Sequence, residues 1–146
     1  MLLSLSRGAS RTRLHPRPTS CSSGFATIPI NRLRVRSFVT NLADGAQVRS
    51  GPVDVRGIAF DGGSGIKRVE ISTDGGTTWR DAALENDFGK YSFRRWRASF
   101  GAARGAAYTL AVRATANDGA TQSATPGWNP SGYLRNAIET YKVTVA

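Results

Sequence analysis

Apolar residues in this chain recur at every second position in short runs, and clusters of Gly, Asp, Asn and Ser separate the runs. A period of two marks a strand with one buried face, because successive side chains leave a pleated backbone on opposite sides. Arg34 to Asn41 is the first such run, with Val35, Ser37 and Val39 on one face and Phe38 on the other. Asp44-Gly45 supplies a turn. Val53, Val55 and Gly57 then alternate with Asp54, Arg56 and Ile58 in a second strand that reaches Phe60. The glycines of Asp61-Gly-Gly-Ser-Gly65 suit an irregular loop, and a phosphate cradle is disfavoured because no Gly-Lys-Ser/Thr ending or helix start follows.

Two β-prone arms flank Asp74-Gly75-Gly76, which reads as a hairpin closed by a two-residue turn, since glycine reaches the positive φ such a turn needs. On the first arm Val69 and Ile71 face one way, and Arg68, Glu70 and Ser72 face the other. On the second arm, from Trp79 to Leu84, the indole is offered to cross-strand neighbours. Tyr91 to Phe100 is expected to be a strand with Trp96, Ala98 and Phe100 on one face and Arg95 and Arg97 on the other. Tyr108, Leu110, Val112 and Ala114 give the cleanest alternation, with Thr109, Arg113 and Thr115 outward. Tyr108 stands where a tyrosine corner would sit, its hydroxyl bonding back to nearby backbone. Asn117-Asp118-Gly119 is a turn, and a long loop from Thr121 to Arg135 leads to a last strand, Ile138 to Val145. No amphipathic helix is visible. About seven strands spaced by turn signals predict an all-β, antiparallel sandwich.

A length of 146 residues suits one domain. The net charge of +10 changes meaning once it is divided along the chain. Up to Ser37 there are seven arginines and no acid; from Phe38 onward thirteen Lys and Arg face ten Asp and Glu, leaving only +3. Residues 1–27 therefore read as a basic, Arg- and Ser-rich, disordered leader, compatible with a transit peptide or with translation from a misplaced start. Residues 28–146 form the domain. A basic arm can contact phosphates, but no RNA-binding or helix-turn-helix signature accompanies it, so no nucleic-acid partner is expected. No apolar run approaches the ~18–20 residues of a membrane span.

Candidate chemistry is sparse. Cys21 is the single cysteine, which excludes an intrachain disulfide, and His15 has no second ligand near it in sequence. Asp81, Glu85 and Asp87 cluster without a histidine and read as a solvated acidic turn. No catalytic residue is expected.

Three blocks in order carry a resemblance: Val69 to Trp79, Tyr91-Ser-Phe-Arg-Arg-Trp96, and Trp128-Asn-Pro-Ser-Gly-Tyr-Leu-Arg-Asn-Ala137. From about Ile28 to Ala146 the chain resembles the C-terminal, immunoglobulin-like dimerisation domain of the sulfite oxidase family. Thr27 to Thr40 resembles the segment by which the chain leaves the molybdenum domain in that family, so the sequence reads as a C-terminal piece of a larger enzyme. The resemblance implies an immunoglobulin-like sandwich and a homodimer or a molybdenum-domain subunit as partner. It implies a parent enzyme that oxidises sulfite at a molybdenum-molybdopterin cofactor, passes electrons to an acceptor such as a cytochrome, and resides in a periplasm or the mitochondrial intermembrane space. This chain itself is expected to bind neither metal nor pterin. The molybdenum-ligating cysteine of the family belongs to the catalytic domain, and the surroundings of Cys21 do not resemble it.

In some members an arginine from the loop matching Trp128 to Asn136 lines the anion pocket. Where the animal enzymes have that arginine, directly before the glycine, this chain has Ser131, and Arg135 is the nearest substitute. A guanidinium suits the task because its planar fork binds an oxyanion through two parallel hydrogen bonds. The competing reading pairs Arg135 with a local acid such as Glu139. Trp79, Trp96, Arg94, Arg95 and Arg97, with Trp128 and Asn129, are the candidate interface or structural residues, since aromatics and arginines favour interface cores. The alternative is a free-standing immunoglobulin-like adhesion or carbohydrate-binding module, which the fold alone does not exclude.

Overall fold

The computed structural model describes residues 31–127 and 134–146. Nine strands lie among them: β1 (Arg36–Val39), β2 (Ala46–Val48), β3 (Gly51–Phe60), β4 (Ile66–Ser72), β5 (Arg80–Asp81), β6 (Ala83–Leu84), β7 (Arg94–Ala102), β8 (Ala107–Ala116) and β9 (Glu139–Val145). They form two packed sheets, ordered β1-β3-β7-β6 and β2-β9-β8-β4-β5, with no helix among the described residues. The expected all-β, immunoglobulin-like sandwich is what the chain builds. The leader, Trp128 and Asn129 fall outside the described residues.

Alternation decides which residues meet between the sheets. Val55, Val69, Leu110, Val112 and Val143 are fully buried, and Trp96 is the largest buried side chain. Burying each of these is worth roughly 1.5–3 kcal/mol, which is why the parity of each strand is strongly enforced. Gly57 makes room for the indole: a Cβ there would run into the Trp96 ring and the Phe38 carbonyl oxygen.

Four details depart from the expected strands. First, β2 pairs with β9 in parallel, so the sandwich is not wholly antiparallel. The chain is pinned there because the Gly45 amide donates to the Lys142 carbonyl and the Lys142 amide donates to Asp44 Oδ1, at 2.8 and 2.7 Å. Second, the connection after β4 is no two-residue turn. Seven residues, 73–79, separate β4 from β5. The Asp74 carboxylate accepts bonds from the amides of Thr77 and Thr78, from the Thr78 hydroxyl at 2.6 Å and from the Ser72 hydroxyl at 2.6 Å. A side chain that satisfies several backbone donors at once outcompetes the tight turn.

Third, the second arm is divided between the sheets. Arg80–Asp81 pairs with β4, whereas Ala83–Leu84 pairs with β7, and buried Ala82 lies at the crossing with its amide on the Val69 carbonyl. Fourth, β7 starts at Arg94 rather than Tyr91, and Tyr91 and Phe93 are exposed. Glu70 and Ser72, on the face opposite Val69 and Ile71, are also buried. The 73–79 loop folds over them: Arg113 grips Glu70 with two bonds of 2.8 and 3.1 Å while its guanidinium lies 4.2 Å from the Trp79 ring centroid.

The tyrosine corner is present. The Tyr108 hydroxyl accepts from the Ala103 amide at 3.1 Å and donates to the Gly101 carbonyl at 3.4 Å.

Candidate functional site

Strand direction sorts the loops onto two ends. β3 ends and β4, β7 and β9 begin at one end, where the chain also enters before β1. This entry end collects loops 61–65 and 85–93 and residues 117–127 and 134–138. Its centre is Asp61, whose side chain is buried and accepts from the Ser64 amide at 2.8 Å and the Ser64 hydroxyl. Arg32 bridges Asp61 and Asp118 at 3.6 and 2.8 Å. Burial pushes the Asp61 carboxyl up, but the bonds from Ser64 and Gly62 and the charge of Arg32 outweigh it and hold the group below its ordinary pKa. Arg32, Asp61, Asp118, Leu134 and Asn136 line a cleft of about 440 Å³ beside this network.

Buried Gln122 clasps the residues on either side of the undescribed stretch, 121–127 and 134–138, to the sandwich. Its Oε1 accepts from the amides of Ser37 and Ala114, each at 2.9 Å, and its Nε2 donates to the Ala137 carbonyl at 2.7 Å. One side chain therefore ties β1, β8 and the start of the last strand together. A glutamine in a polar run gives no sequence signal of this role, because only the fold brings three unpaired backbone groups around it.

Arg135 emerges just past the cleft. Its side chain is 52% exposed and its Nε lies 3.4 Å from Glu139, an acid that Arg36 also holds at 2.8 Å. Leu134, directly before it, has φ of 58°, the left-handed region that a bulky residue adopts only under constraint.

The outward side of the four-stranded sheet is a second surface. Phe38 lies opposite Ile58, and the Phe38 and Phe60 rings meet edge to face at 6.5 Å. Arg95 stands opposite Ile58, and Arg56 stands opposite Arg97. Among the described residues none of these three arginines forms an ion pair. Like charges directly across a strand pair are unfavourable unless something else meets them. The signal for this face was present in the sequence: Phe38, Ile58 and Phe60 occupy the outward parity of their strands.

The remaining predicted residues separate. Trp96 is in the core, Trp79 is half-buried against Arg113 on the other sheet, and Arg95 is exposed on the four-stranded face. Arg94 turns inward to the Ile66 carbonyl at 3.0 Å. Asp81, Glu85 and Asp87 are exposed and form no shared site. Among the described residues no cluster of three or more His, Cys, Asp or Glu is placed to hold a metal ion. No helix among them is long and apolar enough to cross a membrane.

Together these features define an immunoglobulin-like sandwich that presents an apolar, arginine-bearing sheet face and a loop-rich end. The family described as the Mo-co oxidoreductase dimerisation domain matches residues 27–146, and this chain belongs to it. It is 33% identical over 125 residues to the mitochondrial sulfite oxidase of Macaca fascicularis, covering 80% of this chain and 23% of that protein. It is 32% identical over 121 residues to the sulfite oxidase of Gallus gallus, covering 77% and 26%. Among solved structures it superposes on the sulfane dehydrogenase SoxCD from Paracoccus pantotrophus with a TM-score of 0.68 and 26% identity, covering 77% of this chain and 30% of that one. The chain thus spans about a quarter of the length of the relatives it matches.

Proposed function

We propose that this chain pairs subunits in a molybdenum-cofactor enzyme that oxidises sulfite or a related sulfur oxyanion. The family match carries the reading, and the outward face of the four-stranded sheet is the surface that supports it best. Phe38, Ile58 and Phe60 supply an apolar centre, and Arg56, Arg95 and Arg97 a cationic border, the composition of a two-fold interface. Sedimentation of the purified chain is expected to show a concentration-dependent dimer, and Ile58→Asp is expected to shift it to monomer. A strict monomer at high concentration overturns the assignment. The free-standing adhesion reading is supported less well, because a family match over 27–146 is more specific than a shared sandwich.

Arg135 is our candidate for the guanidinium lent to the oxyanion pocket. Its exposure leaves it free to turn outward, and the constrained backbone at Leu134 fixes where it leaves the loop. In the complete enzyme Arg135→Met should raise the KM for sulfite at least tenfold. An unchanged KM assigns the residue to its ion pair with Glu139 instead. The parent enzyme would pass electrons from its molybdenum part to an acceptor such as a cytochrome. A periplasm or the mitochondrial intermembrane space is the compartment this reading carries, and fractionation with an antibody to the chain tests it.

A further inference from the structure

Where the chain crosses between the sheets at Ala82, it leaves part of a strand edge uncovered. β6 covers β7 only at Trp96 and Arg97, because the residues before it, Arg80–Asp81, belong to the other sheet. Beyond Arg97 the free edge of β7 opens on a cleft of about 450 Å³. Arg56, Arg80, Arg97 and Ser99 line it, with Asp54 and Asp81 also on its wall.

Backbone direction fixes what faces this cleft. The Glu85 amide donates to the Arg95 carbonyl at 2.9 Å, so the backbone groups of Arg95 point toward β6, and by alternation those of Arg97 and Ser99 do too. Ser99 has no strand opposite it on that side, which leaves its amide as a donor at the edge beside its own exposed hydroxyl. The Arg56 carbonyl accepts from the Thr40 amide at 2.8 Å, so the backbone groups of Arg56 point the other way, toward β1. Arg56 and Arg97 therefore stand opposite each other without bonds between their backbones. That is the closer of the two antiparallel spacings, with Cα atoms ~4.5 Å apart.

Two like charges at this distance repel, and both side chains face solvent, so the core calls for neither. Arg80 adds a third guanidinium from the other sheet. Among the described residues none of the three forms an ion pair, although two aspartates share the cleft and reduce its charge to +1 (3 − 2). An anion lying between Arg56 and Arg97 would turn the repulsion into a pair of charge-assisted bonds.

We propose that this cleft binds a divalent tetrahedral oxyanion, free sulfate or phosphate. The Arg56 and Arg97 guanidiniums hold it, and Arg80 with the Ser99 amide and hydroxyl supply further donors. A tetrahedral dianion has oxygens enough to accept from both forks and from Ser99, whereas a carboxylate satisfies one fork. The site is independent of the oxyanion pocket to which Arg135 is assigned. Arg56 and Arg97 also border the pairing face, so a bound dianion offsets charge that two copies would otherwise bring together there.

Amide-resolved NMR titration of the full chain tests this, with sodium sulfate in one arm and sodium phosphate in the other, and sodium chloride holding the ionic strength constant. Saturable shifts centred on Ser99 are expected, and the arm that saturates at lower concentration names the source. Arg97→Lys keeps the charge but loses the planar fork, and should weaken binding roughly tenfold. Asp81→Asn should tighten it several-fold. Arg95→Gln, on the same face but outside the cleft, should leave it unchanged. Shifts that fail to saturate, that spread over the basic surface without Ser99, or that survive Arg97→Lys undiminished overturn the site. Ile58→Asp separates this reading from subunit pairing: binding retained in that variant supports a site within one chain, and binding lost with the dimer overturns it.

Discussion

At the end of the sandwich where β1 finishes and β8 begins, connections are short and their polar groups are used internally. Asp44 and Gly45 lock onto Lys142, Asp74 gathers the donors of its loop, and Tyr108 bonds back to the β7–β8 turn. At the entry end the loops are longer, a buried glutamine and a buried aspartate organise them, and the apolar side chains that remain point at solvent. One end therefore closes on itself and the other leaves apolar surface exposed. The difference teaches that exposure by itself is uninformative. What distinguishes the entry end is apolar exposure standing on a polar network that is already satisfied.

Removing Gln122 should break the comparison most severely. Gln122→Leu keeps the volume but strands the amides of Ser37 and Ala114 and the Ala137 carbonyl without partners. Three orphaned buried groups at roughly 1–3 kcal/mol each, partly offset by roughly 1.5–3 kcal/mol from burying leucine, leave a net loss of at least about 2 kcal/mol in chemical denaturation. Hydrogen exchange at Ser37 and Ala114 should accelerate with it. A loss below about 1 kcal/mol would mean that water reaches these groups and that the entry end is not clasped there.

Acid distinguishes the ends next. Hydrogen bonds from Ser72 and Thr78 hold the Asp74 carboxyl far below its ordinary pKa, while Asp61 is lowered less because burial opposes its hydrogen bonds. A carboxylate whose folded pKa lies below its unfolded value of about 4 stabilises the fold above that pH, and the contribution is lost as pH falls through the folded value. The midpoint of unfolding should therefore fall as pH drops below about 4, and Asp74→Asn should flatten that decline more than Asp61→Asn does. The reverse ranking would place the acid-sensitive contacts at the entry end.

Much of this architecture was legible in the residues, and the exceptions share a cause. Alternation located β1, β3, β8 and β9 because each has one face against a uniform core, and Tyr108 could be assigned because its bond is local. The hairpin failed because alternation counts faces without reporting what covers them: Glu70 and Ser72 became buried once the Trp79 loop closed over the outer face. β5 and β6 are two residues each, too short to carry a period. Gln122 and Arg32 act through partners 85 and 86 residues away, and no local pattern encodes such a pairing. Arg135 could be named only through resemblance, since an arginine in a polar loop looks alike whether it pairs with Glu139 or meets an anion.

A smaller effect is expected at the self-closed end. Tyr108→Phe removes the hydroxyl that serves the Ala103 amide and the Gly101 carbonyl but keeps the ring, which meets Phe100 edge to face at 5.1 Å. The cost should be about 1 kcal/mol, the usual net worth of an exposed-side hydrogen bond, read as a shifted denaturation midpoint with an unchanged slope.

The smallest effect is the most discriminating, because it predicts almost nothing for the isolated chain. Tyr91 is 77% exposed, and its ring touches the fold chiefly over Gly63 and beneath the Lys90 ammonium at 4.9 Å. A residue that serves the fold is missed when it is truncated; one that serves a partner is missed only when the partner is there. Tyr91→Ser should leave the unfolding free energy of the chain within about 0.5 kcal/mol, as surface substitutions do. If a partner surface covers loop 85–93 in the complete enzyme, the same substitution should open that loop to proteolysis several-fold faster, because the surface has lost an anchor. A destabilised chain on its own would instead make Tyr91 part of the sandwich, and the two ends would then differ in length of loop but not in purpose.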